Sequence, residues 1–205
     1  MTTERGELVL RRVDGHLEVI SNGVFLMDTR DGRSERLLVE AALAAHPAPR
    51  ALLIGGLGVG FSLAAAVEDP RLEHITVVEI EPALVVWHDG PLAEFSRAAL
   101  HDPRVHVDVA DVSRHLAGDS SPYDVICLDV DNGPDWTVTD ANEALYGDDG
   151  TARVAARLGA GGVLAVWSAH PVPEYEQRLR HHFGDVSVHT VEVDRGEPDV
   201  VYVAH

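Results

Sequence analysis

Two hydrophobic patterns divide the chain. Up to residue 27, apolar and polar positions alternate over residues 7–11 and 16–20, with the hairpin signal Asp14-Gly15 between them. A second turn, Ser21-Asn22-Gly23, leads into Val24-Phe25-Leu26-Met27. This predicts a small N-terminal β appendage, residues 1–30, ahead of one larger unit, residues 31–205. Residues 34–45 read as a helix, with Leu37, Leu38, Ala41, Ala42 and Ala45 as its apolar stripe and Pro47 and Pro49 ending it. From residue 51 the runs turn short and wholly apolar: 51–54, 75–78, 105–107, 125–128 and 163–167. Helical stretches separate them, near 61–68, 81–99, 111–117, 141–158 and 172–183. Strands without alternation are buried on both faces, as in a parallel sheet covered by helices. The last two segments, 185–193 and 199–204, alternate and flank a turn, which predicts a closing antiparallel hairpin. The expected fold is α/β, with a mostly parallel seven-stranded sheet and an antiparallel C-terminal strand.

Composition narrows the chemistry. The 205 residues suit one domain with a sizeable core, and the formal net charge is -18. Such a charge argues against a nucleic-acid partner, which needs clustered Arg and Lys, and is compatible with a cationic small molecule. No apolar run is long enough to span a membrane, and the first residues lack a secretory apolar core. A cytoplasmic location is the expectation. Cys127, the single cysteine, lies inside an apolar run and reads as a buried structural thiol. The histidine spacings suggest no metal site.

The candidate site begins at Leu53-Ile54-Gly55-Gly56-Leu57-Gly58-Val59-Gly60-Phe61, between a strand and a helix. Glycines there permit a tight turn and let a ligand approach the backbone. Glu79, nineteen residues beyond Gly60, ends the second strand and could accept hydrogen bonds from both hydroxyls of a ribose. Ile80 follows it. Asp111, with Val112 behind it, follows the third strand, where a side chain can meet an adenine amino group; equally, it could be a helix N-cap. Asp129 ends the fourth strand. These elements converge on the carboxyl edge of the sheet, where open parallel sheets bind ligands. The loop and first acid fit a dinucleotide fold almost equally well. The acid after strand three, the strand 123–129 and the closing hairpin favour an S-adenosylmethionine-type nucleoside over NAD.

With these motifs placed, the chain resembles the spermidine synthase (polyamine aminopropyltransferase) family, in the class I methyltransferase superfamily with its Rossmann-like fold. The resemblance runs from about Asn22 onward. It rests on Val78-Glu79-Ile80-Glu81-Pro82, Asp102-Pro103-Arg104-Val105, Tyr123-Asp124-Val125-Ile126, Asn142-Glu143-Ala144-Leu145-Tyr146 and Leu158-Gly159-Ala160-Gly161-Gly162. It implies a transferase using S-adenosylmethionine or its decarboxylated form. Gly56, Gly58 and Gly60 would shape the nucleoside loop, Glu79 would hold the ribose and Asp111 the adenine. Asp129 would orient, and could deprotonate, an attacking amine. The chain departs from the family at the groups that select donor and polyamine. Gly58 replaces an acid that holds the donor's amino group, Asn132 a second acid on the catalytic strand, Leu26 a glutamine, and Ser34-Glu35 a Tyr-His pair. The loss at Gly58 predicts that intact S-adenosylmethionine binds at least as tightly as the decarboxylated form, unless Asp28, Asp131 or Glu35 replaces the missing charge.

The remaining candidates surround the same edge. Asp131, Asn132 and Trp136 lie on a polar, turn-rich loop suited to gating a substrate. Tyr146 and His170 come from adjacent elements; His170 could act as a base, although a lone histidine is more often structural. The reading is a transferase moving a methyl or aminopropyl-type group to a small amine-bearing acceptor, with a third route through the aminocarboxypropyl arm. The alternative is a non-catalytic module that kept the nucleoside pocket. A second copy could pair along the exposed edges of the N-terminal strands, giving a homodimer.

Overall fold

The computed structural model describes residues 1–118, 121–135, 140–194 and 196–205, with backbone alone at 140 and 141. The chain opens as a four-stranded antiparallel meander of β1 (Thr2–Thr3), β2 (Gly6–Val13), β3 (His16–Ser21) and β4 (Val24–Asp28). Leu8, Leu17 and Val19 from its inner face are buried together with Val59, Phe61, Ala83, Leu84 and Leu92. The meander thus shares its core with the rest of the molecule.

The main body contains α1 (Arg33–Ala45), β5 (Ala51–Gly55), α2 (Phe61–Glu68), β6 (His74–Glu79), α3 (Pro82–His88), β7 (Val105–Val109), α4 (Val112–Leu116) and β8 (Tyr123–Leu128). It continues through α5 (Asp140–Tyr146), α6 (Asp148–Ala156), β9 (Leu158–Ser168), α7 (Pro173–Phe183), β10 (Val186–Val191) and β11 (Asp199–Ala204). Seven strands form one sheet in the order β10-β11-β9-β8-β5-β6-β7. Strands β7, β6, β5, β8 and β9 pair in parallel, and β11 runs antiparallel between β9 and β10. From β5 the chain winds outward to β6 and β7, then returns to β8 on the other side. The topological switch therefore falls between β5 and β8, where a crevice opens at the carboxyl ends of the strands.

Alternate residues of each strand feed opposite faces. Leu52, Ile54, Val125 and Cys127 pack under Leu38, Val39, Leu63 and Ala66 of α1 and α2. Leu53, Ile126, Leu128 and Leu164 pack on the other face with Tyr146, Val154, Tyr175 and Leu179. Double burial explains the absence of alternation in these runs. Cys127 is buried, with its thiol towards the Leu38 carbonyl.

Three elements differ from the sequence reading. The helix expected over 81–99 stops at His88, because Pro91 cannot donate to the helix and keeps Gly90 out of helical geometry; a chain of turns and a short 3-10 helix (Ala99–His101) follow. The stretch 141–158 is two helices. Gly147 has an extended backbone and caps α6, whose first turn carries Asp148 and Asp149. The buried stripe of α1 is Ser34, Leu38, Val39, Ala42 and Leu43, rotated from the predicted one, and Ala45 is exposed.

Asp124 joins two central strands at their start: its Oδ2 accepts from Arg50 N–H at 2.8 Å and Ala51 N–H at 2.9 Å. Asp124→Ala is expected to cost about 1–2 kcal/mol, a fall of about 4 °C in Tm. Thermal denaturation checks this; an unchanged midpoint would show that water replaces the carboxylate without loss.

Candidate active site

The glycine loop is anchored on three sides. Gly56 donates its N–H to the Val78 carbonyl at 2.9 Å, and Asp129 donates to the Gly55 carbonyl at 2.8 Å. At Gly56 φ is 93°, and a Cβ would stand 2.1 Å from the Asp129 carbonyl oxygen, so no side chain fits. Gly58 differs: its φ is 52°, but a Cβ there would meet only Met27 Sδ, at 3.5 Å. Leu57 donates its N–H to Glu79 Oε2 at 2.9 Å. On the far side His88 Nε2 lies 3.1 Å from the Gly58 carbonyl, which can only accept, so this nitrogen carries the proton. His88 is buried, and burial lowers its pKa, favouring this neutral ring.

Beside the loop lies a cavity of about 200 Å³. Gly56, Gly58, Gly60, Glu79, Ile80, Asp111, Val112, Asp129, Asp131 and Asn132 line it, as do Leu26, Met27, Glu35, Phe61, Ser62, Glu81, Asn142 and Trp167. Six lining residues are carboxylates (Glu35, Glu79, Glu81, Asp111, Asp129 and Asp131), and among the described lining residues none is basic.

Each acid has its own setting. Glu79 is buried and accepts from Leu57 N–H and, at 2.7 Å, from Glu81 N–H. The carboxylate keeps acceptor capacity for a ligand. Burial raises its pKa. Asp111 caps α4, with Oδ1 accepting from Arg114 N–H at 3.0 Å, and also faces the cavity, so both readings of it hold in the geometry. Asp129 is pushed up to about 8, first by burial and then by the charge of Glu35, although Ser62 hydrogen-bonds it. Glu35 is pushed up to about 7, chiefly by burial, while the Ser34 hydroxyl donates to its Oε2 at 3.0 Å. Asp199, behind Ser34, is also raised by burial.

The other sequence candidates stand elsewhere. Gly55 is one step behind the cavity wall, closed in by Leu128 and Val112. The Tyr146 ring is buried edge-on to Tyr175, and its hydroxyl donates to the Val130 carbonyl at 2.9 Å, bracing the end of β8 from behind. His170 pairs with Asp135 at 3.0 Å, outside the cavity wall. Trp136 lies outside the described residues. Asp28 is held by Arg30, away from the cavity. Glu35, which the sequence offers only as a substitute for the charge lost at Gly58, also lines the cavity. Its signal was its place one turn before Leu38 and Val39 on the buried stripe of α1.

Raised acids stabilise a fold in their protonated form. The contribution of Glu35 and Asp129 is complete below the ordinary carboxylate range and is lost as pH rises through about 7 to 8. Glu35→Gln should therefore be more stable than the parent at pH 8.5, by about 2 kcal/mol, and nearly equal to it at pH 5. Denaturant titrations at both pH values check this; equal differences at the two would refute it.

Comparison with known proteins follows the same outline. A family model described as "Spermine/spermidine synthase domain" matches residues 33–191. Polyamine aminopropyltransferase 2 of Pseudomonas aeruginosa is 34% identical over 134 residues, which is 63% of this chain and 36% of that protein. The chain thus spans about a third of that relative's length. Among solved structures, a spermidine synthase in complex with the transition-state analogue AdoDATO superposes with a TM-score of 0.79 at 17% identity, over 92% of this chain and 66% of that one. Human methyltransferase-like protein 13 in complex with SAH reaches 0.59 at 24% identity, over 84% and 75%. These two likenesses show the fold: a class I methyltransferase-like sheet. With the family match running from the first turn of α1 to the end of β10, through all six acids of the cavity, the chain belongs to the spermine/spermidine synthase family.

Proposed function

We propose that this chain is an aminopropyltransferase, moving the aminopropyl group of decarboxylated S-adenosylmethionine to a small cationic amine. The observation that carries this reading is the cavity lining, six carboxylates with no basic side chain among the described residues. The decarboxylated donor brings a sulfonium and an ammonium, and the acceptor brings further positive charge. Intact S-adenosylmethionine adds a carboxylate, which this lining would repel. Gly58 by itself favours the intact donor, but it faces a space that Glu35, Glu81 and Asp131 also line, and their summed charge outweighs one missing acid.

The residues suit the parts assigned to them. The glycine loop would lie against the donor, Glu79 would take the ribose hydroxyls and Asp111 the adenine amino group, with Ile80 and Val112 against the base. The donor supplies a carbon activated by a sulfonium leaving group, which departs as a neutral thioether without acid assistance. The protein's own task is to hold an amine in line and take its proton. Asp129, with its pKa raised towards 8, keeps a proton better than an ordinary carboxylate and suits a general base near neutral pH. Asp131 and Asn132 flank it on the acceptor side.

Calorimetry and product analysis test the reading. The decarboxylated donor should bind more tightly than the intact one, and NAD should not bind. Incubation with an aliphatic diamine should release methylthioadenosine and yield an aminopropylated amine. A methylated amine with S-adenosylhomocysteine, or binding without turnover, would overturn it. Glu79→Ala should weaken nucleoside binding by about 1–3 kcal/mol. Gly58→Asp, which has space for its side chain but strains the backbone at a φ of 52°, should widen the preference for the decarboxylated donor.

A further inference from the structure

Many of the described arginines are committed elsewhere. Four of them close back on an aspartate two residues earlier: Asp28–Arg30, Asp31–Arg33, Asp69–Arg71 and Asp102–Arg104. Arg36, the neighbour of Glu35, lies over the Phe61 ring instead, 4.8 Å from its centroid. Among the described residues no arginine or histidine pairs with Glu35 or Asp129, although the two are half-buried and the charge of Glu35 bears on Asp129. Burying two neighbouring carboxylates without a cation is costly. Both line the cavity, so a ligand can reach them.

Their supports hold both in its wall. Glu35 is in the first turn of α1, on the face that packs over the sheet, and Asp129 follows β8. Ser62, in the first turn of α2, donates its hydroxyl proton to the Glu35 backbone carbonyl at 3.2 Å and lies beside the Asp129 carboxylate. Ser34 donates to the Glu35 carboxylate at 3.0 Å and lies beside Asp199. Trp167 lines the same cavity.

We propose that Glu35 is the residue that holds the acceptor's attacking nitrogen, acting with Asp129 as a two-carboxylate clamp for a primary alkylammonium group. This deepens the aminopropyl-transfer reading and rests on it. The ammonium enters between the two carboxylates and gives one proton to Asp129. The neutral amine keeps an N–H on Glu35, which turns its lone pair towards the carbon beside the sulfonium. The new N–C bond forms as the C–S bond breaks, its electron pair staying on sulfur, and the Asp129 proton leaves to solvent. Before the amine arrives the pair favours holding a proton, which the entering ammonium displaces. The other groups that bear on this exchange are Asp199 and Asp31, which face Glu35, Glu79, which faces Asp129, and Arg33, which faces Asp199.

The test uses the full chain saturated with methylthioadenosine, titrated with 1,4-diaminobutane in two buffers of different ionisation enthalpy at pH 7. The parent should release a proton to the buffer on binding the diamine. Glu35→Gln should bind the diamine about 10- to 100-fold more weakly and lose that proton release, with methylthioadenosine affinity within about 2-fold of the parent. Glu35→Asp should recover part of the affinity. Unchanged diamine affinity in Glu35→Gln, with the nucleoside still bound, overturns the clamp and leaves aminopropyl transfer standing. Failure of the parent to bind methylthioadenosine overturns aminopropyl transfer, and the clamp with it.

Discussion

The functional edge depends on one close approach, that of the Gly56 backbone to the carbonyl of Asp129. β5 lies between β6 and β8, and its last residues bond to both: Gly56 N–H to Val78, Gly55 carbonyl to Asp129. With no Cβ at Gly56 the loop can lie flat across the end of β8, and the acid there is brought up to the loop. A larger residue would separate them by pushing the strands apart or lifting the loop. Glu79 and His88 then fix the loop's next two residues, one by accepting from Leu57 and the other by donating to Gly58. The glycine loop and the catalytic candidate are thus placed by a single packing constraint, with two hydrogen bonds to keep it.

Charge is distributed to leave this edge negative. The pairs of aspartate with an arginine two residues on neutralise themselves within one turn of chain, and most lie at element boundaries. Arg104 also caps carbonyls at the end of α2 and beyond, at Val67, Asp69 and Leu72. The net charge of -18 is therefore not spread evenly in its effect: exposed acids are screened by water or by local arginines, whereas those in the cavity share one concave site where their field adds.

Much of this was legible in the sequence, for physical reasons that also mark where reading stopped. Buried strands announce themselves by unbroken apolar runs, and a sheet edge collects whatever follows them, so Glu79, Asp111 and Asp129 could be placed from order alone. Tyr146 and His170 could not, because sequence order gives the edge and not the direction of a side chain; one braces the core and the other pairs with Asp135. The orientation of Glu35 was obscured by the alanines of α1. Ala41 and Ala45 resemble core residues but weigh little, and the stripe drawn through them turns Glu35 away from the sheet. The heavier residues Leu38, Val39 and Leu43 set the true rotation and carry Glu35 into the cavity. At residues 81–99 the helical periodicity was real as far as His88, and Pro91 overruled it beyond.

The shared core of the meander bears on the order in which the molecule assembles. Leu8, Leu17 and Val19 are made early, yet the surface that buries them includes Leu84 and Leu92, far along the chain. Strands β2 to β4 can pair locally, but they gain a hydrophobic seat only after the glycine loop and α3 have formed. Leu26 and Met27 of β4 then close the cavity as one of its last walls. Occupancy of the cavity and order in the first thirty residues become linked quantities: whatever fills the site slows the opening of the N-terminal sheet, and protease resistance at the start of the chain reports on ligand at its centre.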